Sequence, residues 1–214
     1  MKKYITTVIG VSLILFLTGC VTVEYKDSAD SFAASCDDNP QKISDHTYSS
    51  NPCILPDDRI KNKKAVIETE VGTIEFELLP DTAPYSVSNF VFLAEDGYYE
   101  GISFHRRDDS INIIQAGDPN SLNDDPSDDG QGGPGYTFGE EPPESAAAYK
   151  KGVVAMAKTN IPVSSGSQFF IMIDDFEGFN PEYSIFGQVL SGQDVVEIIQ
   201  PGDKINSVNI ESIE

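Results

Sequence analysis

The sequence predicts a mainly β or α+β domain over residues 63–214. Most apolar segments there are short and alternate with polar residues, which is typical of strands that bury one face. Only two segments have the spacing of an amphipathic helix. The chain has 214 residues, of which 39% are hydrophobic, and about 150 residues are enough to enclose one core. We therefore expect a single globular domain with an N-terminal extension.

The first two strands are expected within residues 65–79. Apolar residues alternate with Glu75 and Glu77 in the second half of this segment, and Val71-Gly72 marks a turn. One face of this hairpin should be buried and the other solvated.

A helix is predicted after this hairpin. Asp81 or Thr82 is expected to cap it, Pro84 lies in its first turn, and Gly97 ends it. Its buried face is expected to carry four apolar residues: Val87, Phe90, Val91 and Ala94.

The remaining elements are short. Strands are expected within 104–115, 152–157, 169–173, 184–190 and 205–213, and a second helix over 193–200. Many short strands with two helices fit a closed antiparallel barrel, because closure removes exposed strand edges. Periodicity alone leaves all-β and α+β architectures open.

The charge of the chain argues against nucleic-acid binding. It has 35 acidic and 14 basic residues and a formal net charge of −21. A nucleic-acid interface needs a cationic face that replaces phosphate counterions. We therefore expect no nucleic-acid partner.

Residues 1–19 are predicted to be an export signal. Lys2 and Lys3 precede an apolar run over 8–17, which is too short to span a bilayer. The run ends in Leu17-Thr18-Gly19-Cys20, which resembles the lipobox of bacterial lipoproteins, so Cys20 is the expected lipidation site. An ordinary cleaved signal with an incidental cysteine is the alternative. Val21 after the cysteine favours the outer membrane if the organism is a diderm.

Residues 20–62 are interpreted as a lipidated N-terminus and flexible linker. The segment is rich in Ser, Asp, Asn and Pro and has no sustained apolar period. If Cys20 carries lipid, Cys36 and Cys53 remain as a candidate disulfide in an oxidising compartment. Two free thiols are the alternative.

The segment 118–135 combines aspartates with glycines, and two interpretations of it compete. Clustered carboxylates can bind Ca²⁺, but the spacing of a calcium loop and its distal glutamate are missing. We favour a solvated acidic insertion and expect no metal site.

Six motifs occur in one order from about Lys63 to the C-terminus: FHR, QAGDP, GGPGYTF, KKGVVAMAKTN, SGSQFFI and PEYSIFGQV. This series resembles the cyclophilin family of peptidyl-prolyl cis/trans isomerases, and more closely its bacterial branch. The resemblance implies a closed eight-stranded antiparallel β-barrel capped by two α-helices. It also implies proline-containing peptides as substrates and no cofactor.

The resemblance assigns site residues as well. Arg106 corresponds to the catalytic arginine and Gln115 to the glutamine that positions it. The expected substrate-binding residues are Phe170, Ile113, Phe179, Met156, Ala157, Lys158, Gln168 and Tyr183. Phe170 would form the aromatic floor of the proline pocket.

The segment after Arg106 departs from the family pattern. It has one extra residue and reads Arg107-Asp108-Asp109 where the family is apolar. Arg106 could therefore be a surface arginine paired with Asp108 or Asp109. Asn112 falls where a pocket phenylalanine is expected, although Ile111 could fill that place.

These observations lead to one expected function and one alternative. We expect a monomeric, extracytoplasmic isomerase, anchored by lipid and facing the periplasm, that assists the folding of exported proteins. The alternative is a peptide-binding module of the same fold with little or no catalysis.

Overall fold

The computed structural model describes residues 36–145, 148–161 and 163–213, which contain ten strands and three α-helices. The strands are β1 (Lys42–Ser44), β2 (Thr47–Tyr48), β3 (Lys63–Thr69), β4 (Thr73–Leu78), β5 (Arg106–Asp108), β6 (Ile113–Ala116), β7 (Val153–Met156), β8 (Phe169–Met172), β9 (Ile185–Ser191) and β10 (Ile205–Ser212). The helices are α1 (Asp57–Ile60), α2 (Pro84–Glu95) and α3 (Gln193–Ile198). Among the described helices, none has the length and apolar character needed to cross a bilayer.

Eight strands form one curled antiparallel sheet in the order β10-β3-β4-β9-β7-β8-β6-β5. Its two ends approach each other through the segments 101–104 and 202–205. The amide of Ile205 donates to the carbonyl of Ile102, and the amide of Phe104 to that of Asp203, both at 2.9 Å. Within the described residues, however, no ladder joins β5 to β10. The mainly β architecture is confirmed, whereas full closure of the barrel stays a prediction.

The main core lies between the sheet and α2. Phe90 of α2 packs at the centre, with its ring centroid 5.4 Å from Phe76, 5.1 Å from Tyr99 and 5.7 Å from Phe169. All four rings are fully buried. Burial of one phenyl side chain is worth about 2–3 kcal/mol, so this aromatic contact fixes α2 on the sheet.

The N-terminus of α2 is capped from a distant part of the chain. Neither Asp81 nor Thr82 caps it as predicted, since Ala83 occupies the cap position. Instead, the Glu141 carboxylate accepts hydrogen bonds from the amides of Tyr85 at 3.0 Å and Ser86 at 2.8 Å. Burial raises the pKa of Glu141, and these hydrogen bonds oppose the shift.

We expect Glu141→Ala to lower the free energy of unfolding by about 2 kcal/mol, because two helix amides lose their acceptor in a buried place. Urea denaturation monitored by circular dichroism measures this loss. Glu144→Ala, three residues away and exposed, is the matched control and should change stability by less than about 0.5 kcal/mol. Equal stability of the two variants would contradict the capping role.

Residues 36–62 are folded onto the domain, in contrast to the flexible linker predicted there. Cys36 and Cys53 form a disulfide with their Cα atoms 4.8 Å apart. Tyr48 is 2% exposed, and its hydroxyl donates to Asp96 at 2.6 Å. The amide of Tyr48 donates to the carbonyl of Pro134 at 2.9 Å. The disulfide-closed segment therefore supports the loop around Pro134. The predicted signal peptide and Cys20 lie outside the described residues.

Candidate active site

The β5–β6 hairpin places Arg106 directly opposite Gln115. The guanidinium Nη1 donates to the Gln115 side-chain oxygen at 3.3 Å. Asn112, in the connecting turn, has φ +57°, a conformation that asparagine tolerates better than most residues. Its side chain donates to the Asp175 carbonyl, whereas Ile111 packs towards Phe170. Ile111 thus joins the apolar cluster, whereas the Asn112 side chain turns towards the loop at Asp175.

A chain of side-chain amides links Arg106 to the glycine-rich loop. Gln115 donates to the side-chain oxygen of Gln168 at 2.9 Å, and Gln168 donates to the carbonyl of Gly132 at 2.9 Å. The side-chain oxygen of Gln115 accepts from Arg106, and that of Gln168 accepts from Gln115. Because each amide therefore uses both its nitrogen and its oxygen, both have a defined orientation. Gly132 is required here, because a Cβ would collide with the Asp118 carboxylate.

Phe170 belongs to a second apolar cluster and lies in one cross-strand row with Gln115 and Arg106. It is paired across the sheet with Gln115 and Ala155 and is 3% exposed. Its ring centroid lies 5.7 Å from Phe179 and 5.5 Å from Tyr183, and Ile113 packs in the same cluster. The adjacent Phe169 faces the main core. This confirms that the two phenylalanines point to opposite sides of β8.

A cavity of about 740 Å³ adjoins this cluster. Four predicted site residues line it: Gln115, Ala157, Lys158 and Gln168. Segment 130–137 forms the other wall. Ala157 also packs against the Phe170 cluster, so the cavity and the cluster are neighbours. Together they form a site with an aromatic part and a more open polar part.

The comparisons with known proteins agree with this geometry. The family model for cyclophilin type peptidyl-prolyl cis-trans isomerase/CLD matches residues 64–214. A peptidyl-prolyl cis-trans isomerase of Helicobacter pylori is 35% identical over 157 residues, covering 72% of this chain and 91% of that protein. Isomerase B of Bacillus subtilis is 36% identical over 138 residues, covering 64% of this chain and 90% of its own.

This chain is a cyclophilin. A solved cyclophilin of Cryptosporidium parvum is similar to it, with a TM-score of 0.60 and 29% identity over 70% of this chain and 98% of that one. The same protein has been solved in the presence of the dipeptide Ala-Pro. The activity of the chain is accordingly that of a peptidyl-prolyl cis-trans isomerase.

Both cations of this cyclophilin site are paired with carboxylates. Arg106 Nη2 contacts Asp108 at 2.6 Å, whereas Asp109 pairs with Arg107. The Lys158 side chain is 8% exposed, its Nζ contacts Glu182 at 3.1 Å, and the same atom lies 5.6 Å from the centre of the Tyr183 ring. Hydrogen bonds from Ser110 and then from Arg106 lower the pKa of Asp108, which therefore stays ionised at neutral pH.

The resemblance implies that Met156, Ala157 and Lys158 form a short strand that pairs with the substrate backbone, and the Met156 side chain itself points away from the cavity. This side chain is fully buried in the main core, and the amide of Met156 donates to the Ser184 carbonyl at 2.9 Å. The amide of Ala157 is also used within the protein, since it donates to the Gln168 carbonyl. Of these three adjacent positions, Ala157 and Lys158 border the cavity.

The wall formed by segment 130–137 was missed by the sequence analysis. Residues 130–135 were assigned to a solvated acidic insertion, although the sequence GQGGPG there contains four glycines. Glycines allow a backbone to approach neighbouring groups closely, and that was the available signal. In the described part of the chain, no three His, Cys, Asp or Glu side chains are grouped so that they could hold a metal ion.

His105, next to Arg106, gives the cyclophilin a testable pH dependence. The ring is mostly buried, and among the described residues neither nitrogen has a hydrogen-bond partner. Burial lowers the pKa of His105 below the ordinary value of 6.5, although Asp118 and Asp129 act in the opposite direction. The unfolded chain therefore takes up the proton first as the pH falls.

We expect the free energy of unfolding to fall from pH 7.5 to 5.5, and His105→Phe to remove part of this slope. One proton accounts for at most about 1.4 kcal/mol per pH unit. The raised pKa of Glu141 acts in the opposite sense, so the difference between variant and wild type is the relevant quantity. Urea denaturation at several pH values measures it. Identical slopes for both proteins would show that His105 does not titrate differently on folding.

Proposed function

We propose that this cyclophilin isomerises Xaa-Pro bonds of exported proteins on the outer side of the cytoplasmic membrane, where a lipid on Cys20 holds it. The observation that carries the catalytic part is the Arg106 guanidinium, fixed by Gln115 beside the aromatic cluster around Phe170. The two parts of the proposal have separate support and separate tests.

The chemistry follows from the amide bond. Rotation about an Xaa-Pro bond is slow because resonance gives the C–N bond double-bond character, with a barrier of about 20 kcal/mol. In the twisted state the nitrogen lone pair is localised and can accept a hydrogen bond. A catalyst must hold this state more tightly than either planar isomer, and it needs no covalent intermediate.

The site supplies a donor and an apolar contact. Arg106 can donate to the prolyl nitrogen while the proline ring rests against the cluster of Phe170, Phe179 and Ile113. One preorganised charged donor contributes about 3–4 kcal/mol to such a transition state, or two to three orders of magnitude in rate. The amide chain through Gln115 keeps the guanidinium in place.

The location is supported by the sequence and by the disulfide. Residues 1–20 resemble a bacterial lipoprotein signal, and disulfides such as Cys36–Cys53 persist in oxidising compartments. We extend the proposal to a monomeric enzyme of the bacterial branch with a closed barrel. It would face the periplasm from the outer membrane if the organism is a diderm.

A peptide-binding module with little catalysis is the second candidate. Two observations favour it: Arg106 is paired with Asp108, and Phe170 is covered by Phe179 and Tyr183. Substrate must displace these contacts before the arginine and the ring can act. This alternative predicts peptide binding without rate enhancement.

A protease-coupled assay on an Ala-Pro peptide tests the catalytic part. We expect the full-length protein, purified in detergent, to accelerate isomerisation in proportion to its concentration. Binding of the peptide in calorimetry with only the uncatalysed rate would establish the binding module instead. For the location, radiolabelled palmitate should be incorporated into the wild type and not into Cys20→Ala. A wild type without label would refute the lipid anchor.

A further inference from the structure

Asp108 is a fixed carboxylate in contact with Arg106. Its Oδ2 accepts from Arg106 Nη2 at 2.6 Å. Its Oδ1 accepts from the amide of Ser110 at 3.1 Å and from the Ser110 hydroxyl at 2.6 Å. Because both oxygens are engaged, the carboxylate is oriented towards the guanidinium before any substrate arrives.

This pairing weakens the donor that catalysis requires. The contact of Arg106 with Asp108 is much shorter than its 3.3 Å hydrogen bond to Gln115. A guanidinium neutralised at short range offers less electrostatic stabilisation to a localised lone pair. The side chain of Arg106 is 45% exposed, and ion pairs exposed to this degree contribute little to stability. The pair can therefore be exchanged for another partner at little cost.

The other cation of the site does not offset Asp108. Lys158 is engaged by Glu182, and Arg107 is engaged by Asp109 on the other face of the strand. An acidic side chain on the substrate would be repelled here. A basic side chain would find in Asp108 an ionised acceptor already held in position.

We propose that Asp108 makes this enzyme select Xaa-Pro bonds in which Xaa is Lys or Arg. The inference rests on the isomerase function proposed above. The side chain before proline branches from the carbon next to the rotating amide, so it lies near the group that donates to the prolyl nitrogen. A basic side chain there pairs with Asp108, so that an N–H of the Arg106 guanidinium, no longer neutralised at short range, donates its hydrogen bond to the prolyl nitrogen.

The test compares peptides of the form Ala-Xaa-Pro-Phe-4-nitroanilide with Xaa as Lys, Ala or Glu, at low ionic strength, since salt screens the effect. For the full-length wild type we expect kcat/KM to be about tenfold higher for Lys than for Glu, equivalent to about 1.4 kcal/mol. Asp108→Asn should reduce this ratio to about threefold or less, mainly by raising kcat/KM for the Glu peptide. Asp109→Asn, which removes the same charge one residue away, is the control and should keep most of the ratio.

Three results would overturn the inference. One is an unchanged Lys-to-Glu ratio in Asp108→Asn. Another is an equal fall of the Lys-to-Glu ratio in Asp109→Asn, which would attribute the preference to the overall negative charge around the site and not to Asp108. A third is an equal loss of activity on all peptides in Asp108→Asn, which would make Asp108 a support for Arg106. Wild-type rates at the uncatalysed level for every peptide would refute the isomerase function itself, and this inference with it.

Discussion

Replacing Arg106 by alanine is expected to lower kcat/KM for an Ala-Pro peptide by two to three orders of magnitude, with little loss of stability. The guanidinium is the charged donor placed beside the Phe170 cluster, and loss of one preorganised donor costs about 3–4 kcal/mol of transition-state stabilisation. Its side chain is 45% exposed, and its contacts are to Gln115 and Asp108, so the fold depends little on it. The protease-coupled assay and urea denaturation measure the two effects.

Arg107→Ala is the matched control for this experiment. Arg107 is adjacent to Arg106, but its guanidinium donates to the carbonyls of Glu197 and Ile199 at the end of α3. We therefore expect Arg107→Ala to lower stability by about 1–2 kcal/mol and to change kcat/KM by less than about threefold. Activity of Arg106→Ala close to that of Arg107→Ala would refute the catalytic role of Arg106. Arg106→Lys keeps the positive charge but loses the planar guanidinium with its several N–H donors. It should therefore be only slightly more active than Arg106→Ala.

The elements that sequence analysis predicted well are those formed by local patterns. Alternation in residues 73–78 predicts β4, and the apolar spacing of Val87, Phe90, Val91 and Ala94 predicts α2. Gly97, at φ +74°, follows the helix end as expected. In each case the information lies within a few residues, because strand faces and helix stripes repeat over that distance.

Contacts between distant residues could not be predicted in the same way. Glu141 caps α2 across 55 residues of sequence, and no local motif distinguishes it from Glu140 or Glu144. The segment around Tyr48 was assigned to a linker because its composition is polar. Tyr48 and Ile60 are nevertheless buried in the main core, and the Cys36–Cys53 disulfide closes the segment on itself.

The site shows the same division. Sequence motifs placed Arg106, Gln115 and Phe170 in one region, and the sheet register brings them together. Whether Arg106 pairs with Asp108 or Asp109 depends on the pleat of β5. Residues 106 and 108 lie on one face of the strand and residues 107 and 109 follow the other, so the pairs form between alternate residues.

Phe170→Ala is expected to reduce both activity and stability. Truncation of a buried phenylalanine costs about 3–5 kcal/mol, and Phe170 is 3% exposed in contact with Phe179 and Tyr183. Loss of its contact with the proline ring removes about 2 kcal/mol of binding, or about 30-fold in kcat/KM. Because the alanine variant could lose activity simply through unfolding, a milder pair of substitutions is needed.

Phe170→Leu and Phe169→Leu form that pair. The two residues are neighbours on β8, one in the cluster beside Arg106 and the other in the main core. Each substitution keeps an apolar side chain in place and should cost about 1–2 kcal/mol of stability. Only Phe170→Leu removes a flat ring from the proline site, so it should lower kcat/KM by about tenfold while Phe169→Leu retains activity. If both variants lose activity equally, or neither does, Phe170 is a packing residue and the proline ring binds elsewhere. The 740 Å³ cavity lined by Gln115 and Lys158 is then the remaining candidate.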